Sequence, residues 1–439
     1  MRLLHVFPCF GAELVGGAER YQYQLSKSLA AMGCEVDVLA TTSAGALSTS
    51  ACASTWPAAY SAGTEHRDGM RIDRFPVARP FPVALGHLVS RAILRRWERE
   101  TRRWGEMVLG SDGIEDYLYR RARSRPEWYG WMALRTRGPW SPSLLRHLRR
   151  VIHRYDLVLT GFMPFALMAQ VARIVKRHHG KLIVLPLFHP QDAYHHFTAL
   201  YRPLMQADAI LAQTPYSAAL MKHWWPHSNP RVTGAGVDLE EFANSHVSGA
   251  RFRARWGLQG LRIVLLVGRK EYFKRYALAI EAVEALADKS VRLVIVGRDV
   301  DKLPIQSAYV SYLGELPRAE LLDAYDACDL FVLPSVFESF GMVFLEAWAR
   351  RKAVIGSRLC PSSATLIREG VNGLLACGAW ELAGAIRTLL AAPEQARAMG
   401  EAGYALVARE FTWQATARRV ADINREVLRA GAESTTPQT

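Results

Sequence analysis

The 439-residue sequence lacks an apolar run long enough to cross a membrane. A bilayer span needs about 20 consecutive apolar residues, and the longest uncharged apolar stretch, Leu157 to Ala172, is broken by Gly161 and Pro164. The amino terminus has too short an apolar segment, and no small-residue cleavage site, to be a secretion signal. These absences favour a protein that stays in the cytoplasm.

Cysteine is also scarce, and its positions exclude two further classes of protein. The chain has six cysteines, with no Cys-x-x-Cys pair and no His partner at metal-ligand spacing, so neither a zinc site nor a disulfide framework is expected. Half of the residues are hydrophobic and 22% are charged, as in ordinary globular domains. The net charge of +14 favours anionic partners such as phosphates, nucleic acid or an acidic lipid surface.

The first part of the chain alternates between strand and helix patterns. Leu3 to Pro8 and Glu35 to Ala40 read as strands, and Ala18 to Met32 between them has apolar residues at helical spacing. This βαβ order predicts a Rossmann-like parallel sheet. Thr41 to Gly69 has no sustained period and is predicted to be a long loop. The N-terminal domain is predicted to cover residues 1–245.

A second alternating series starts at Leu261. Ile263–Gly268 and Leu293–Gly297 are continuous apolar runs, which is typical of parallel strands buried on both faces. The fold class is therefore α/β, with two doubly wound parallel-sheet domains facing a cleft, and the second domain is predicted at residues 246–412. A C-terminal helix at 413–430, with a return to the first domain as one option, and a polar tail at 431–439 complete the chain.

An insertion at about residues 85–154 is basic and rich in tryptophan. Arg91 to Arg154 contains sixteen Arg against seven acidic residues, and five of the twelve Trp of the chain. Arg and Trp on amphipathic helices fit an anionic interface, so the insertion is a candidate for binding the acceptor or the inner face of the membrane. A solvated basic layer with buried Trp fits equally well. Nucleic acid is not expected, because no recognisable nucleic-acid module accompanies the charge.

The most specific chemical pattern is a pair of glutamates, Glu338 and Glu346, after the predicted strand 331–334. Gly341 between them lets the backbone approach a ligand, and free amides at the helix start can donate to a phosphate or sugar oxygen. A lone helix-start Glu more often offsets the helix dipole, but the pair with its glycine favours a binding site. The amides concerned are those of Gly341, Met342 and Val343.

A second pattern follows the strand that ends at Gly268. Arg269 and Lys274, five residues apart, can clamp a diphosphate from the side opposite the amides. Basic residues after a strand are more often solvated loop charges, so spacing alone leaves both interpretations open.

Taken together, these motifs resemble the family 4 retaining glycosyltransferases of the GT-B fold. The resemblance covers most of the chain and is strongest from Leu261 to Leu375. Any one motif is weak, whereas several in the same order are specific. The motifs that carry it are Gly16-Gly17-Ala18-Glu19-Arg20, Gly236-Val237-Asp238, Gly268-Arg269 with Lys274, Leu313-Gly314-Glu315-Leu316, Asp329 to Ser335, the glutamates Glu338 and Glu346, and Asn372 to Leu375.

The resemblance implies a role for each residue. Arg269 and Lys274 would bind the donor diphosphate, Glu346 the ribose hydroxyls, and Glu338 the transferred sugar. His189 matches the family's His near the donor sugar, although a strand-end His is more often structural. The loop amides that would assist belong to Ser339, Phe340, Gly341, Met342 and Val343. Gly16 and Gly17 would let their loop approach the donor phosphate or the acceptor. An ordinary glycine turn before a helix, without a binding role, explains these two residues equally well.

The implied reaction moves a hexose from a nucleotide diphosphate sugar to a glycan or lipid-linked acceptor, with retention at the anomeric carbon. The nucleotide sugar is a co-substrate, and neither a cofactor nor a metal is expected; Asp299-Val300-Asp301 is interpreted as a solvated loop. The alternatives are a GT-B sugar-nucleotide epimerase, a non-catalytic sugar-nucleotide-binding protein and, more weakly, a Rossmann-type NAD enzyme. Arg351–Val354 and Leu359–Thr365 depart from the family pattern, which leaves the donor sugar open.

Overall fold

The computed structural model describes residues 1–14, 16–45, 56–78, 113–244 and 246–433, and contacts divide the chain into two compact units. The N-terminal unit comprises Met1–Gly234 together with the chain from Thr416 onward, and the C-terminal unit comprises Ala235–Ala415. Arg419 illustrates the return of the last helix, since its Nε donates to the carbonyl of Thr233 at 2.8 Å.

The N-terminal unit is built on an eight-stranded sheet of order β3-β4-β2-β1-β5-β6-β7-β8. Neighbouring strands are parallel throughout, apart from the antiparallel β3–β4 pair. The strands are β1 (Arg2–Phe7), β2 (Glu35–Thr41), β3 (Gly63–Arg67), β4 (Met70–Phe75), β5 (Leu157–Gly161), β6 (Leu182–Leu185), β7 (Ala209–Ala212) and β8 (Pro230–Val232).

The predicted long loop at Thr41–Gly69 is wrong at its C-terminal end, where β3 forms the edge of the sheet. This strand, Gly-Thr-Glu-His-Arg, has no apolar residue and is largely exposed, so no hydrophobic alternation marks it. The strand is recognised instead by its antiparallel pairing with β4.

The described helices of this unit cover the sheet and include part of the basic insertion. They are α1 (Gly17–Ala31), α2 (Ile114–Arg123), α3 (Glu127–Arg137), α4 (Pro142–Val151), α5 (Ala166–Arg177), α6 (Thr198–Gln206) and α7 (Pro215–Trp224). Within the insertion, Trp131 and Trp140 pack against the hydrophobic core, whereas Trp128 is 63% exposed. Trp97 and Trp104 lie outside the described residues.

The C-terminal unit has a six-stranded, all-parallel sheet of order β11-β10-β9-β12-β13-β14. Its strands are β9 (Arg262–Val267), β10 (Val291–Val296), β11 (Val310–Gly314), β12 (Leu330–Leu333), β13 (Ala353–Ser357) and β14 (Gly373–Ala376). The central strands are buried on both faces, as their continuous apolar runs predict.

Short helices connect these strands, and longer ones close the chain. They are α8 (Leu239–Ala243), α9 (Gly249–Arg255), α10 (Tyr276–Glu284), α11 (Arg318–Ala327), α12 (Met342–Ala349), α13 (Pro361–Ala364), α14 (Ala379–Ala391), α15 (Pro393–Glu410) and α16 (Trp413–Glu433). None of the helices in the described residues is long and apolar enough to span a bilayer.

Each sheet has one point where the strand order changes direction. In the N-terminal sheet, β1 lies between β2 and β5, and in the C-terminal sheet, β9 lies between β10 and β12. The loops that follow the two strands at such a point leave in opposite directions and open a crevice at the carboxyl edge, where ligands of doubly wound sheets bind.

Candidate functional site

The two motifs of the C-terminal half follow β9 and β12, the strands on either side of its switch point. After β9, the guanidinium of Arg269 lies 3.3 Å from the carboxylate of Glu271 and 5.5 Å from the ring centre of Phe273. The Arg269 side chain is 41% exposed, so it can turn toward a ligand. Lys274 ends a short 3-10 helix, Tyr272–Lys274, and its side chain is largely buried. The loop therefore presents one exposed and one sheltered cation at the carboxyl edge.

The loop after β12 brings Glu338 against this clamp. The Nζ of Lys274 lies 2.5 Å from Glu338 Oε1, and Glu338 is only 9% exposed. The rings of Phe273 and Phe337 stack at 4.6 Å, and the amide of Val336 donates to the carbonyl of Phe273 at 2.9 Å. The predicted clamp lysine and the predicted sugar-binding glutamate thus share one site.

Gly341 starts helix α12 from a left-handed backbone conformation, with φ of +95°. An added Cβ would lie 2.9 Å from the Phe344 ring, so both the conformation and the space require glycine. The amides of Met342 and Val343, in the first turn, have no intrahelical acceptor and can donate to an anion.

Ser339 and Phe340 precede this turn, and both were predicted to contribute backbone amides. The Phe340 side chain is 1% exposed and packs edge-on to Phe411 at 5.6 Å. Its role toward a ligand is therefore limited to its backbone, while its ring anchors the loop.

Glu346, one turn after the start of α12, is held by two partners that the sequence motifs did not reveal. Arg318 Nη1 donates to Glu346 Oε1 at 2.9 Å, and the Tyr325 hydroxyl donates to Oε2 at 2.8 Å. Arg318 also forms a two-bond contact with Glu241, at 2.7 and 2.8 Å. Burial opposes the charge of Arg318, but the two carboxylates outweigh it and raise the pKa of its guanidinium.

The segment Leu359–Thr365, which departs from the family pattern, lies against the loop that follows β12. Cys360 is buried, and burial together with the nearby charge of Glu338 raises the pKa of its thiol to about 11. Ser363 donates to the Cys360 sulfur at 3.2 Å, and its hydroxyl would lie 3.5 Å from a Cβ at Gly341. The departure therefore places a buried thiol near Glu338 and a hydroxyl near Gly341.

The interpretation of Asp299-Val300-Asp301 as a solvated loop holds for Asp299, which is exposed, but is wrong for Asp301. Asp301 pairs with Lys270, which is 1% exposed, and accepts from the Tyr276 hydroxyl at 2.5 Å. Asp299 lies 2.9 Å from the same ammonium. A buried lysine needs paired carboxylates, so both acids hold the β9 and β10 loops together. In the described parts of the chain, no group of three His, Cys, Asp or Glu could hold a metal ion.

The remaining predicted residues lie at the carboxyl edge of the N-terminal sheet. Gly16 and Gly17 are exposed at the start of α1, directly after β1. A Cβ on Gly16 would meet the flexible carboxylate of Glu19, so neither close packing nor a left-handed φ demands this glycine. His189 follows β6, and its amide lies 3.3 Å from Nδ1 of His195.

Two doubly wound parallel sheets, with cations, paired acids and helix amides at a switch point, define the GT-B class of α/β proteins. Residues 250–406 match the family model described as glycosyl transferases group 1. A D-inositol 3-phosphate glycosyltransferase of Segniliparus rotundus is 30% identical over 52% of this chain and 54% of that protein. The predicted resemblance to glycosyltransferases of the GT-B fold is confirmed, and the family-model match lies in the C-terminal unit.

Two further comparisons extend over more of the chain. A GDP-mannose-dependent alpha-(1-6)-phosphatidylinositol monomannoside mannosyltransferase of Mycolicibacterium smegmatis is 25% identical over 71% of this chain and 87% of its own length. The structure of Anabaena Alr3699/HepE in complex with UDP and glucose superimposes with a TM-score of 0.65, at 17% identity, over 97% of this chain and 100% of its own. That likeness confirms the fold. The chain spans just over half the length of the first curated relatives it matches.

Proposed function

We propose that this protein is a retaining glycosyltransferase that moves a hexose from a nucleoside diphosphate sugar to a glycan or lipid-linked acceptor. The observation that carries the proposal is the contact of Lys274 with Glu338 at the switch point of the C-terminal sheet. A cation for phosphate and an anion for sugar hydroxyls meet there, beside the amides that begin α12.

The donor diphosphate has a complete set of complementary groups in this unit. Arg269 and Lys274 supply positive charge, and the amides of Met342 and Val343 supply donors with the favourable end of the helix dipole. Glu346 is the proposed ribose ligand. Each of its oxygens already accepts one hydrogen bond, from Arg318 or Tyr325, and a carboxylate oxygen has a second lone pair for a ribose hydroxyl.

In the proposed reaction, the acceptor hydroxyl attacks the anomeric carbon on the face from which the diphosphate leaves. The bond between that carbon and the phosphate oxygen breaks, the bond to the acceptor oxygen forms, and the acceptor proton passes to the departing phosphate. Arg269, Lys274 and the helix amides stabilise the charge that develops on the leaving group. Glu338 orients the sugar through its hydroxyls while its negative charge favours a cationic anomeric carbon.

The acceptor is proposed to bind on the N-terminal unit. Two curated relatives are named for inositol phosphate and phosphatidylinositol mannoside chemistry, which supports a polar acceptor that carries phosphate or lipid. The basic helices α2, α3 and α4 are a proposed contact with an anionic membrane surface, and Trp128, 63% exposed on α3, is a suitable interfacial residue. Assembly of envelope polysaccharide or glycolipid in the cytoplasm is the proposed role.

The test is a product assay with a panel of nucleoside diphosphate sugars and an extract of lipid-linked glycans. Wild type should release nucleoside diphosphate and form a glycoside whose anomeric configuration, read by NMR, equals that of the donor. Glu338→Gln should lower turnover at least 100-fold, because the carboxylate acts on developing charge. The control Glu394→Gln, whose side chain is 80% exposed, should keep full activity.

Other results would overturn the proposal. Full turnover in folded Glu338→Gln would remove the site, inverted product would remove the retaining mechanism, and release of an epimerised sugar nucleotide without acceptor would identify an epimerase. Equal, negligible pelleting of wild type and Trp128→Ser with anionic vesicles would remove the membrane contact.

A further inference from the structure

A buried arginine lies at the carboxyl edge of the N-terminal sheet. Arg137 is the last residue of α3 and is 3% exposed. Its position is fixed by its backbone, since the Trp56 indole donates to the Arg137 carbonyl at 2.7 Å and the Ala166 amide donates to the Gly138 carbonyl at 2.8 Å. Ala166 begins α5, directly after the β5 loop, so Arg137 stands beside the loop that leaves β5.

The side chain of Arg137 lies against aromatic rings and has no ion-pair partner among the residues that the structure describes. Its guanidinium carbon lies 4.8 Å from the ring centre of Tyr194 and 5.8 Å from that of Phe165. Its Nε is shut off from solvent and has no hydrogen-bond acceptor. Asp192 is close enough to favour the charged form of this guanidinium, while burial opposes it.

This arrangement is costly in the ligand-free protein. A buried charge is unfavourable without a paired, hydrogen-bonded partner, and arginine does not escape by losing its proton. The end of α3 and the neighbouring ring faces favour a cation, but less than burial opposes it. The same groups are well suited to hold an oxyanion, because the planar fork of arginine matches two oxygens of a phosphate or carboxylate.

The neighbouring histidines extend this cluster toward His189. The ring of His195 is 3% exposed, and burial with the nearby His189, His196 and Arg137 lowers its pKa far below the usual range. It is therefore neutral, and because its Nδ1 accepts from the His189 amide, its Nε2 carries the proton and can donate. The Nε2 of His195 lies 3.9 Å from Asp192 Oδ2, and the charge of Arg137 is close enough to act on the His195 ring.

We propose that Arg137 is the oxyanion-recognition residue of an acceptor subsite on the N-terminal unit, so that the acceptor of this enzyme carries a phosphate or carboxylate. This inference rests on the proposed transferase function and adds the chemical class of the acceptor to it. The subsite lies next to His189, which is 5.2 Å from His195 between ring centres. An acceptor anchored through its anion at Arg137 is thus held beside the residue predicted to approach the donor sugar.

The test measures oxyanion binding directly. Wild type, Arg137→Gln and Arg135→Gln are titrated with inorganic phosphate, and separately with acetate, against chloride at equal ionic strength, with the thermal midpoint as readout. Arg135 lies in the same helical turn and is exposed, so its variant removes the same charge from the surface. Arg137→Lys, which keeps the charge and loses the fork, replaces Arg137→Gln if that variant does not fold.

Wild type and Arg135→Gln should show the same saturable shift with one of the two oxyanions, and Arg137→Gln should bind it at least tenfold more weakly. A response to phosphate identifies a phosphorylated acceptor, and a response to acetate identifies an acidic sugar or similar carboxylate. Equal binding by Arg137→Gln and wild type, or no shift beyond chloride, would overturn the subsite. A parallel titration with nucleoside diphosphates tests the donor site, so failure of the transferase proposal is seen separately.

Discussion

Replacing Arg318 by methionine should destabilise the C-terminal unit strongly, because this residue joins two acids. Its guanidinium donates to Glu241 at 2.7 and 2.8 Å and to Glu346 at 2.9 Å. Methionine keeps much of the apolar stem but removes all three bonds. The carboxylate of Glu346, only 7% exposed, would then lose its contact with Arg318, while the Tyr325 hydroxyl would still donate to it.

The size of the effect follows from the exposure of each partner. Removing one member of a buried ion pair costs about 3–5 kcal/mol, but Arg318 is 30% exposed, so the Glu346 contact should contribute about 2–3 kcal/mol after solvent screening. Glu241 is 27% exposed, and its share should be about 0.5–1 kcal/mol. We therefore expect a loss of about 3 kcal/mol in the free energy of unfolding.

Urea unfolding of wild type and Arg318→Met, followed by circular dichroism, gives this difference. Arg397→Met is the control, because its ion pair with Glu394 is 71% and 80% exposed and should contribute about 0–0.5 kcal/mol. In a Glu346→Gln background, Arg318→Met should lower the free energy of unfolding by about 1–2 kcal/mol less than it does in wild type, because a neutral amide tolerates the loss of the Arg318 guanidinium better than a carboxylate does. If Arg318→Met destabilises the protein no more than Arg397→Met, the assigned network is wrong.

Two further predictions concern stability. Burial lowers the pKa of His196 to about 4, against about 6.5 when unfolded, so the unfolded chain binds the extra proton and stability falls as pH drops from 6.5 toward 4. The loss should be about 2 kcal/mol at pH 5, and His196→Gln should flatten the pH dependence of urea unfolding by that amount; an unchanged slope would contradict the assignment. Gly403→Ala should cost about 1–3 kcal/mol, because its Cβ would lie 2.0 Å from the buried ring of Trp348. Gly384→Ala, with open space around it in another helix, should instead stabilise by about 0.5–1 kcal/mol, and equal melting temperatures for both variants would refute the packing argument.

The central strands were predictable because burial on both faces leaves a clear sequence pattern. The predicted runs Ile263–Gly268 and Leu293–Gly297 agree with β9 and β10 to within two residues at each end. Strand ends depend on single residues: β6 ends at Leu185 because Pro186 has no amide to donate and Leu187 has a left-handed φ of +51°. The edge strand β8 (Pro230–Val232) was missed, since it is only three residues long and lacks a fully buried residue.

The candidate site was predictable where residues close in sequence meet after one strand. Glu338, Gly341 and Glu346 follow β12 as a single motif, and the clamp follows β9 as another. The residue that holds Glu346 was not predictable, because Arg318 is 28 residues from that partner and 77 from Glu241. Such pairs depend on how α8, α11 and α12 pack, which no local spacing records.

Arg137 was hidden for a related reason. In the sequence it is one of sixteen arginines in the basic insertion and looks like any surface charge. Only the fold places it under the β5 and β6 loops, against Tyr194 and Phe165. Local sequence does not reveal which arginine is buried, so only the structure distinguishes Arg137 from the surface arginines.

The measurement that tests the central claim most directly is calorimetric titration of UDP, GDP, ADP and CMP into wild type, Lys274→Met and Lys289→Met. Each substitution removes one positive charge. Lys289 is exposed just before β10, at the amino edge of the sheet, whereas Lys274 lies at the carboxyl edge beside Glu338. One nucleoside diphosphate should bind wild type and Lys289→Met equally and bind Lys274→Met at least tenfold more weakly, a difference of about 1.4 kcal/mol or more. Equal binding by folded Lys274→Met, or no binding of any diphosphate to wild type, would contradict the account.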